Sequence, residues 1–234
     1  MNINTGMILA AGYGKRLRPI TKKIPKPLLK VNNKLLIEYA IEILLKVGIK
    51  RIYINTHYKD KLIKNFIKKK YNNKNITLVH EPILLDTGGA VKNVIKMFKI
   101  KSLIILNSDI YWNKSTYKDL KKLINIHLKN KYNCTLLLSR LNNSYGIKIK
   151  KGDFIKSKNI LIRNIEKNKG LIYTGAQVID AEIFNVFRQK IFSFNLIWDY
   201  LINKKKLHST IMQAKWFHLG DFKLLKKMNK FNLE

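Results

Sequence analysis

The sequence predicts an α/β fold, a doubly wound mixed sheet with helices on both faces, and three observations carry that prediction. An apolar run, Met7 to Ala11, breaks into a turn with two glycines, Gly12 and Gly14, followed at once by Arg16 and Arg18. Strand-like and helix-like blocks then alternate through the first two thirds of the chain. One later strand, Leu103 to Leu106, is apolar at every position, as a parallel strand buried on both faces should be.

Taken in order, Met7 to Ala11 reads as the first strand. Leu35 to Val47 reads as a helix from its apolar spacing (Leu36, Tyr39, Ala40, Ile43, Leu44, Val47), with Gly48 as its stop. Arg51 to Asn55 is a strand, Asp60 to Lys70 a lysine-rich amphipathic helix, and Ile76 to His80 a strand. A helix is expected over Gly89 to Phe98, another over Ser115 to Leu128, and a strand over Thr135 to Ser139. From Tyr145 the rhythm changes to short strands: Gly146 to Lys150, Phe154 to Ile155, Ile160 to Ile165 and Leu171 to Ile179. Helical pieces at Ala181 to Phe187 and Asn195 to Asn203 follow, then a strand from Ser209 to Ala214 and a last helix to Asn232. With no Pro/Ser-rich linker between the parts, residues 1–234 are expected to form one domain, split at about 140/141 into two halves.

Composition narrows the function classes. No run of eighteen apolar residues occurs, so no membrane partner is expected, and the N-terminus has no signal-peptide pattern. The lone Cys134 lies in the apolar run Cys134 to Leu138, which reads as an inert core thiol in a cytoplasmic protein. The net charge of +33 raises nucleic-acid binding, but 41 of the 47 basic residues are lysines spread through every segment. A phosphate-backbone stripe would instead cluster its cations and interleave aromatics. Abundant Asn and Ile point to an AT-rich coding sequence, so no nucleic-acid partner is expected. Runs such as Lys68 to Lys70 and Lys204 to Lys206 read as solvated surface.

The glycine turn carries the chemistry. Glycine lets backbone amides approach a phosphate, and arginine offers a planar fork to its oxygens. Lys26, between Pro25 and Pro27, adds a second cation on stiffened backbone. Neither common nucleotide loop fits: Gly14-Lys15-Arg16 lacks the hydroxyl of a Walker A ending, and Leu17 stands where a dinucleotide fingerprint needs its third glycine. The pattern present is LAAG-x-G-x-R-L-x-P-x-T-x-x-x-P-K-P-L, from Leu9 to Leu28, with every fixed position filled. Two further constellations follow expected strands: Leu85-Asp86-Thr87-Gly88-Gly89-Ala90 and Leu106-Asn107-Ser108-Asp109. An aspartate just past a buried strand suits a divalent ion held against phosphates.

These motifs resemble the sugar-1-phosphate nucleotidyltransferases, which join an NTP and a sugar 1-phosphate with release of pyrophosphate. The resemblance implies a Rossmann-like sheet of the nucleotide-diphospho-sugar transferase type, with a small sugar-binding lobe in the second half. It assigns Arg16, Lys26 and Asp109 to catalysis, with Mg2+ on Asp109. Leu9, Ala10, Ala11, Gly12, Gly14, Thr87, Gly88, Gly89 and Asn107 would hold the nucleotide. Asp153, Thr174 and Gly175 would face the sugar. A catalytically silent nucleotide-sugar sensor would lose Arg16, Lys26 or Asp109, and all three are present.

One segment departs from the pattern. Where the family usually has W-x-D-x-G-T, this chain reads Trp216-Phe217-His218-Leu219-Gly220-Asp221, so the second metal ligand is Asp221 or His218. The compact length, Gly152-Asp153-Phe154 and Phe194 to Asp199 resemble the short bacterial subgroup. That points to UTP with N-acetylmuramate 1-phosphate, a cell-wall sugar, with GTP and mannose 1-phosphate as the alternative. The state expected is monomer or homodimer.

Overall fold

The computed structural model describes residues 2–72, 75–146, 151–157, 160–165, 170–220, 224–225 and 228. Its parallel centre is β1 (Thr5–Leu9), β4 (Arg51–Thr56), β5 (Ile76–His80) and β6 (Ser102–Asn107), ordered β6-β1-β4-β5. Between β1 and β4 lies a small hairpin, β2 (Lys30–Val31) with β3 (Lys34–Leu35). Its turn places Asn32 and Asn33 at positive φ, as a tight two-residue hairpin requires, and the sequence reading had no element there.

The C-terminal half builds onto the same sheet. β11 (Leu171–Asp180) runs antiparallel between β6 and β7 (Cys134–Arg140), and β12 (His208–Ile211) extends the sheet parallel to β7. β9 (Phe154–Ser157) and β10 (Ile160–Arg163) pair with each other, and β9 touches the start of β11. β8 (Ser144–Tyr145) pairs separately with β13 (Trp216–Phe217). The order reverses between β1 and β6, which opens a crevice at the carboxyl ends of those strands.

Alternation along the strands sends successive side chains to two cores. Ile8, Ile52, Ile54, Ile104 and Leu106 pack under α1 (Leu36–Lys46), α2 (Asp60–Tyr71) and α4 (Tyr117–Asn130). Met7, Tyr53, Leu103 and Ile105 pack under α3 (Asp86–Phe98) and α5 (Phe194–Asn203). Helices on both faces and a mostly parallel centre match the expected fold class. Cys134 is buried, and that burial pushes its thiol far up, away from reactivity.

The element boundaries that moved have physical causes. β1 ends before Ala10 because the Ala10 amide donates to the Asn55 side chain at 2.9 Å and leaves the ladder. β12 stops at Ile211 because the amides of Gln213 and Ala214 donate to the buried Asp119 carboxylate, each at 3.0 Å. The helical piece expected over Ala181 to Phe187 is a 3-10 helix, Ala181–Val186. The Lys68 to Lys70 run is not uniformly solvated. Lys70 reaches the buried Glu38, whose other oxygen accepts the Leu35 amide and caps α1. Residues 147–150 of the expected Gly146 to Lys150 strand and most of the last helix lie outside the described residues.

Candidate active site

The crevice is a cleft of about 340 Å3 at the carboxyl ends of β1 and β6. Its floor is Leu9, Ala10 and Ala11, where β1 gives way to the loop. Gly12 and Gly14 play different parts. The space a Cβ would fill at Gly12 is open, so packing does not require glycine there, and its absence of side chain keeps the cleft clear. Gly14 has φ 63° and sits against Thr21, whose hydroxyl donates to its carbonyl at 2.9 Å. That closure turns the chain into a short 3-10 helix, Lys15–Leu17, which brings Lys15 and the exposed Arg16 to the rim.

A further 3-10 helix, Lys26–Leu28, begins after Pro25 and buries Lys26. Its ammonium donates to Asp109 Oδ2 at 2.8 Å, joining loop and β6 across 83 positions of sequence. His218 Nε2 stands 3.5 Å from the same oxygen. Burial alone would raise the Asp109 carboxyl, yet the Lys26 ammonium and the His218 imidazole hold it well below the usual carboxylate range. His218 is placed by its own segment: its ring stacks on Trp216, its amide donates to the Tyr145 carbonyl, and the Leu219 amide donates to the Asp109 carbonyl. A side chain at Gly220 would collide with the His218 ring, so this glycine makes room for the imidazole. Asp221 lies outside the described residues.

Away from the cations, Asn55, Leu84, Asp86 and Thr87 line the other end of the cleft. Asn55 accepts the Ala10 amide and donates to the fully buried Glu81 at 2.7 Å. Glu81's second oxygen accepts the Leu85 amide at 3.0 Å. One buried carboxylate thus ties β4, the end of β1 and the loop before α3 into a single wall. Ser108 adds another tie, donating to the Leu9 carbonyl at 2.6 Å.

A family model for "Nucleotidyl transferase" matches residues 5–234. The chain belongs to the nucleotidyl transferase family. It is 31% identical over 218 residues to D-glycero-alpha-D-manno-heptose 1-phosphate guanylyltransferase of Campylobacter jejuni, covering 92% of this chain and 93% of that protein. It is 28% identical to mannose-1-phosphate guanyltransferase of Saccharomyces cerevisiae, covering 92% of this chain and 61% of that protein. Among solved structures, HddC from Yersinia pseudotuberculosis complexed with GMP-PN shares the fold at TM-score 0.77 and 24% identity, covering 97% of this chain and 99% of that one. The resemblance read from the loop therefore stands, and this nucleotidyltransferase is an enzyme of the sugar-1-phosphate kind.

Of the residues singled out in sequence, Leu9, Ala10, Ala11, Gly12, Gly14, Arg16, Lys26, Thr87, Asn107 and Asp109 all line the cleft of this nucleotidyltransferase. Gly88 and Gly89 are not among its lining; their amides both donate to the Phe192 carbonyl at 2.9 Å. A Cβ at either would strike the Lys190–Phe192 backbone or the Phe192 ring, so these glycines serve close packing and α3 begins before them, at Asp86. Gly175, at φ 85°, packs directly on the Asn107 side chain, while the Thr174 hydroxyl donates to the Leu137 carbonyl. Asp153, Thr174 and Gly175 are not among the lining of the cleft; Asp153 accepts the Tyr173 amide at 2.8 Å. Asn55, Glu81 and Asp86 were not anticipated. A polar Asn55 ending the apolar run Ile52 to Ile54 was the signal available.

Proposed function

We propose that the cleft takes GTP and a manno-configured sugar 1-phosphate and joins them into a GDP-sugar, releasing pyrophosphate. The observation that carries this reading is the near-full-length similarity to a manno-heptose 1-phosphate guanylyltransferase, in a chain whose cleft brings Arg16, Lys26 and Asp109 together. The sugar phosphate oxygen is already an anion, so no general base is needed. It attacks the α-phosphorus in line; one P–O bond forms and the bond to the β-phosphate oxygen breaks. Positioning and charge neutralisation then dominate.

In this reading Arg16 faces the β- and γ-phosphates and Lys26 the reacting centre. The Ala11–Gly12 floor holds the nucleoside, with Asn55 at its far side, while the Thr87 hydroxyl is engaged by the Phe194 amide. Residues 1–140 bind the nucleotide and residues 141–234 the sugar, through Asp153, Thr174 and Gly175. The donor set at Asp109 fits magnesium, which is held through one or two carboxylates together with substrate phosphates and water. When bound, Mg2+ would supply neutralisation of phosphate charge and polarisation of the α-phosphorus. Asp109 would be its main protein ligand, with Asp221 or His218 as the second. The imidazole suits softer ions, which favours Asp221 for magnesium and leaves His218 to steady the Asp109 carboxylate.

UTP with N-acetylmuramate 1-phosphate is the second reading, supported by Gly152-Asp153-Phe154 and by the Phe194 to Asp199 segment. A matrix of GTP, UTP, CTP and dTTP against mannose, manno-heptose, glucose and N-acetylmuramate 1-phosphates, followed by pyrophosphate release, separates the two. Turnover confined to GTP with the manno sugars is expected. Turnover confined to UTP with N-acetylmuramate 1-phosphate would transfer the assignment to the second reading.

A further inference from the structure

The turn Asp86–Gly89 belongs to two helices at once. Thr87 lines the cleft, and its Oγ1 accepts the amide of Phe194, the first residue of α5, at 3.0 Å. Ser193, which stands in the cap position of α5, makes no side-chain cap bond of its own. In return the Phe192 carbonyl accepts the Gly88 and Gly89 amides in the first turn of α3. Helix N-termini leave their first amides without intrahelical partners, and here two helices more than a hundred residues apart satisfy each other.

The consequence lies at the far end of the link. α5 carries Trp198, whose indole donates to Gln177 at 3.0 Å and packs edge-on to Tyr173 at 4.7 Å. Tyr173 leads directly into the bulged stretch of β11 at Gly175, which presses on Asn107 at the cleft. A path of contacts therefore runs from the Thr87 hydroxyl through α5 and β11 to Asn107, which also lines the cleft.

We propose that Thr87 is a positioning residue for the sugar-phosphate half of the reaction, acting through α5 rather than by binding the sugar. The proposal rests on the reading of the cleft given above. Its test compares Thr87→Val, which keeps the shape and removes the acceptor, with Thr87→Ser, which keeps the hydroxyl. With mannose 1-phosphate and GTP, Thr87→Val should raise the sugar-phosphate KM about three- to tenfold, the scale of one neutral hydrogen bond, while the calorimetric Kd for GTP moves less than about twofold. Thr87→Ser should restore the wild-type KM. Amide exchange measured without substrates should quicken at the start of α5 in Thr87→Val and not in Thr87→Ser.

A GTP Kd that weakens as much as the sugar KM, or a Thr87→Ser enzyme as impaired as Thr87→Val, would overturn the proposal and make Thr87 a nucleotide contact. Unchanged exchange at α5 in Thr87→Val would overturn it as well. A wild-type protein that turns over no NTP and sugar phosphate pair would defeat the functional reading instead, and the exchange comparison would still decide whether Thr87 holds α5.

Discussion

Lys26 and Asp109 carry the tightest electrostatic coupling at the site. Their side chains are 10% and 25% exposed and 2.8 Å apart, so each ion depends on the other for its solvation. Replacing Lys26 with Met leaves the Asp109 carboxylate in a desolvated place without its principal counter-charge. Loss of a buried partner costs about 3–5 kcal/mol, and the partial exposure of Asp109 argues for the lower end. The pH dependence has a definite sign. In the wild type Asp109 is held below its unfolded value of about 3.9, so its stabilisation is complete above that pH and is lost only under stronger acid. In Lys26→Met the carboxyl rises from its wild-type position, because only the His218 imidazole is left to oppose burial, and protonation relieves that penalty. Denaturation without metal or nucleotide should therefore show a stability gap that is widest at neutral pH and narrows on acidification. A gap that widens toward acid would contradict the pairing.

At the scale of elements, two glycines in the same neighbourhood should respond oppositely to alanine. Gly12 has open space where a Cβ would stand, so Gly12→Ala should leave stability within about 0.5 kcal/mol yet reduce turnover, because the new methyl intrudes where ligand is read to lie. Gly89 is pressed against the Lys190 carbonyl inside α3, so Gly89→Ala should destabilise by about 1–3 kcal/mol, as overpacking does. Thermal denaturation with parallel pyrophosphate assays checks both. Equal stability loss in the two variants would mean that the loop and the helix turn share one packing role. The same contrast explains what was legible beforehand. The Leu9 to Leu28 loop could be read because its glycines, prolines and cations lie within twenty residues of one another. The Gly88–Gly89 pair could not, because its partner, Phe192, is a hundred residues away and a glycine pair looks alike whether it faces a ligand or a neighbouring backbone.

For the whole molecule, alternation of apolar runs foretold the doubly wound sheet, since each face of each strand must find a helix. What sequence left open were long-range polar ties: Asn55 to Glu81, Asp119 to the Gln213–Ala214 amides, and Lys70 to Glu38. These obey no short period. The charge of +33 also acts at this scale. A field of that sign should speed encounter with anionic nucleotides, so kcat/KM for the NTP should fall as ionic strength rises past a Debye length of about 10 Å at 0.1 M. Neutralising Lys68 and Lys69 should lower that salt slope slightly and leave kcat unchanged, whereas including Lys70 should also weaken the fold through Glu38. A salt-independent kcat/KM would remove any steering role for the field.

Asp109, steadied by Lys26 in the cleft, is proposed to serve displacement at the NTP α-phosphorus. Single-turnover pyrophosphate release by wild type and by folded Asp109→Asn, with saturating GTP, manno sugar 1-phosphate and magnesium, isolates that role. The variant keeps the side-chain shape and loses the charge, and its rate should fall at least ~100-fold, the scale set by removing a principal electrostatic stabiliser. A folded Asp109→Asn enzyme releasing pyrophosphate at near the wild-type rate would remove the Asp109 carboxylate from the reaction.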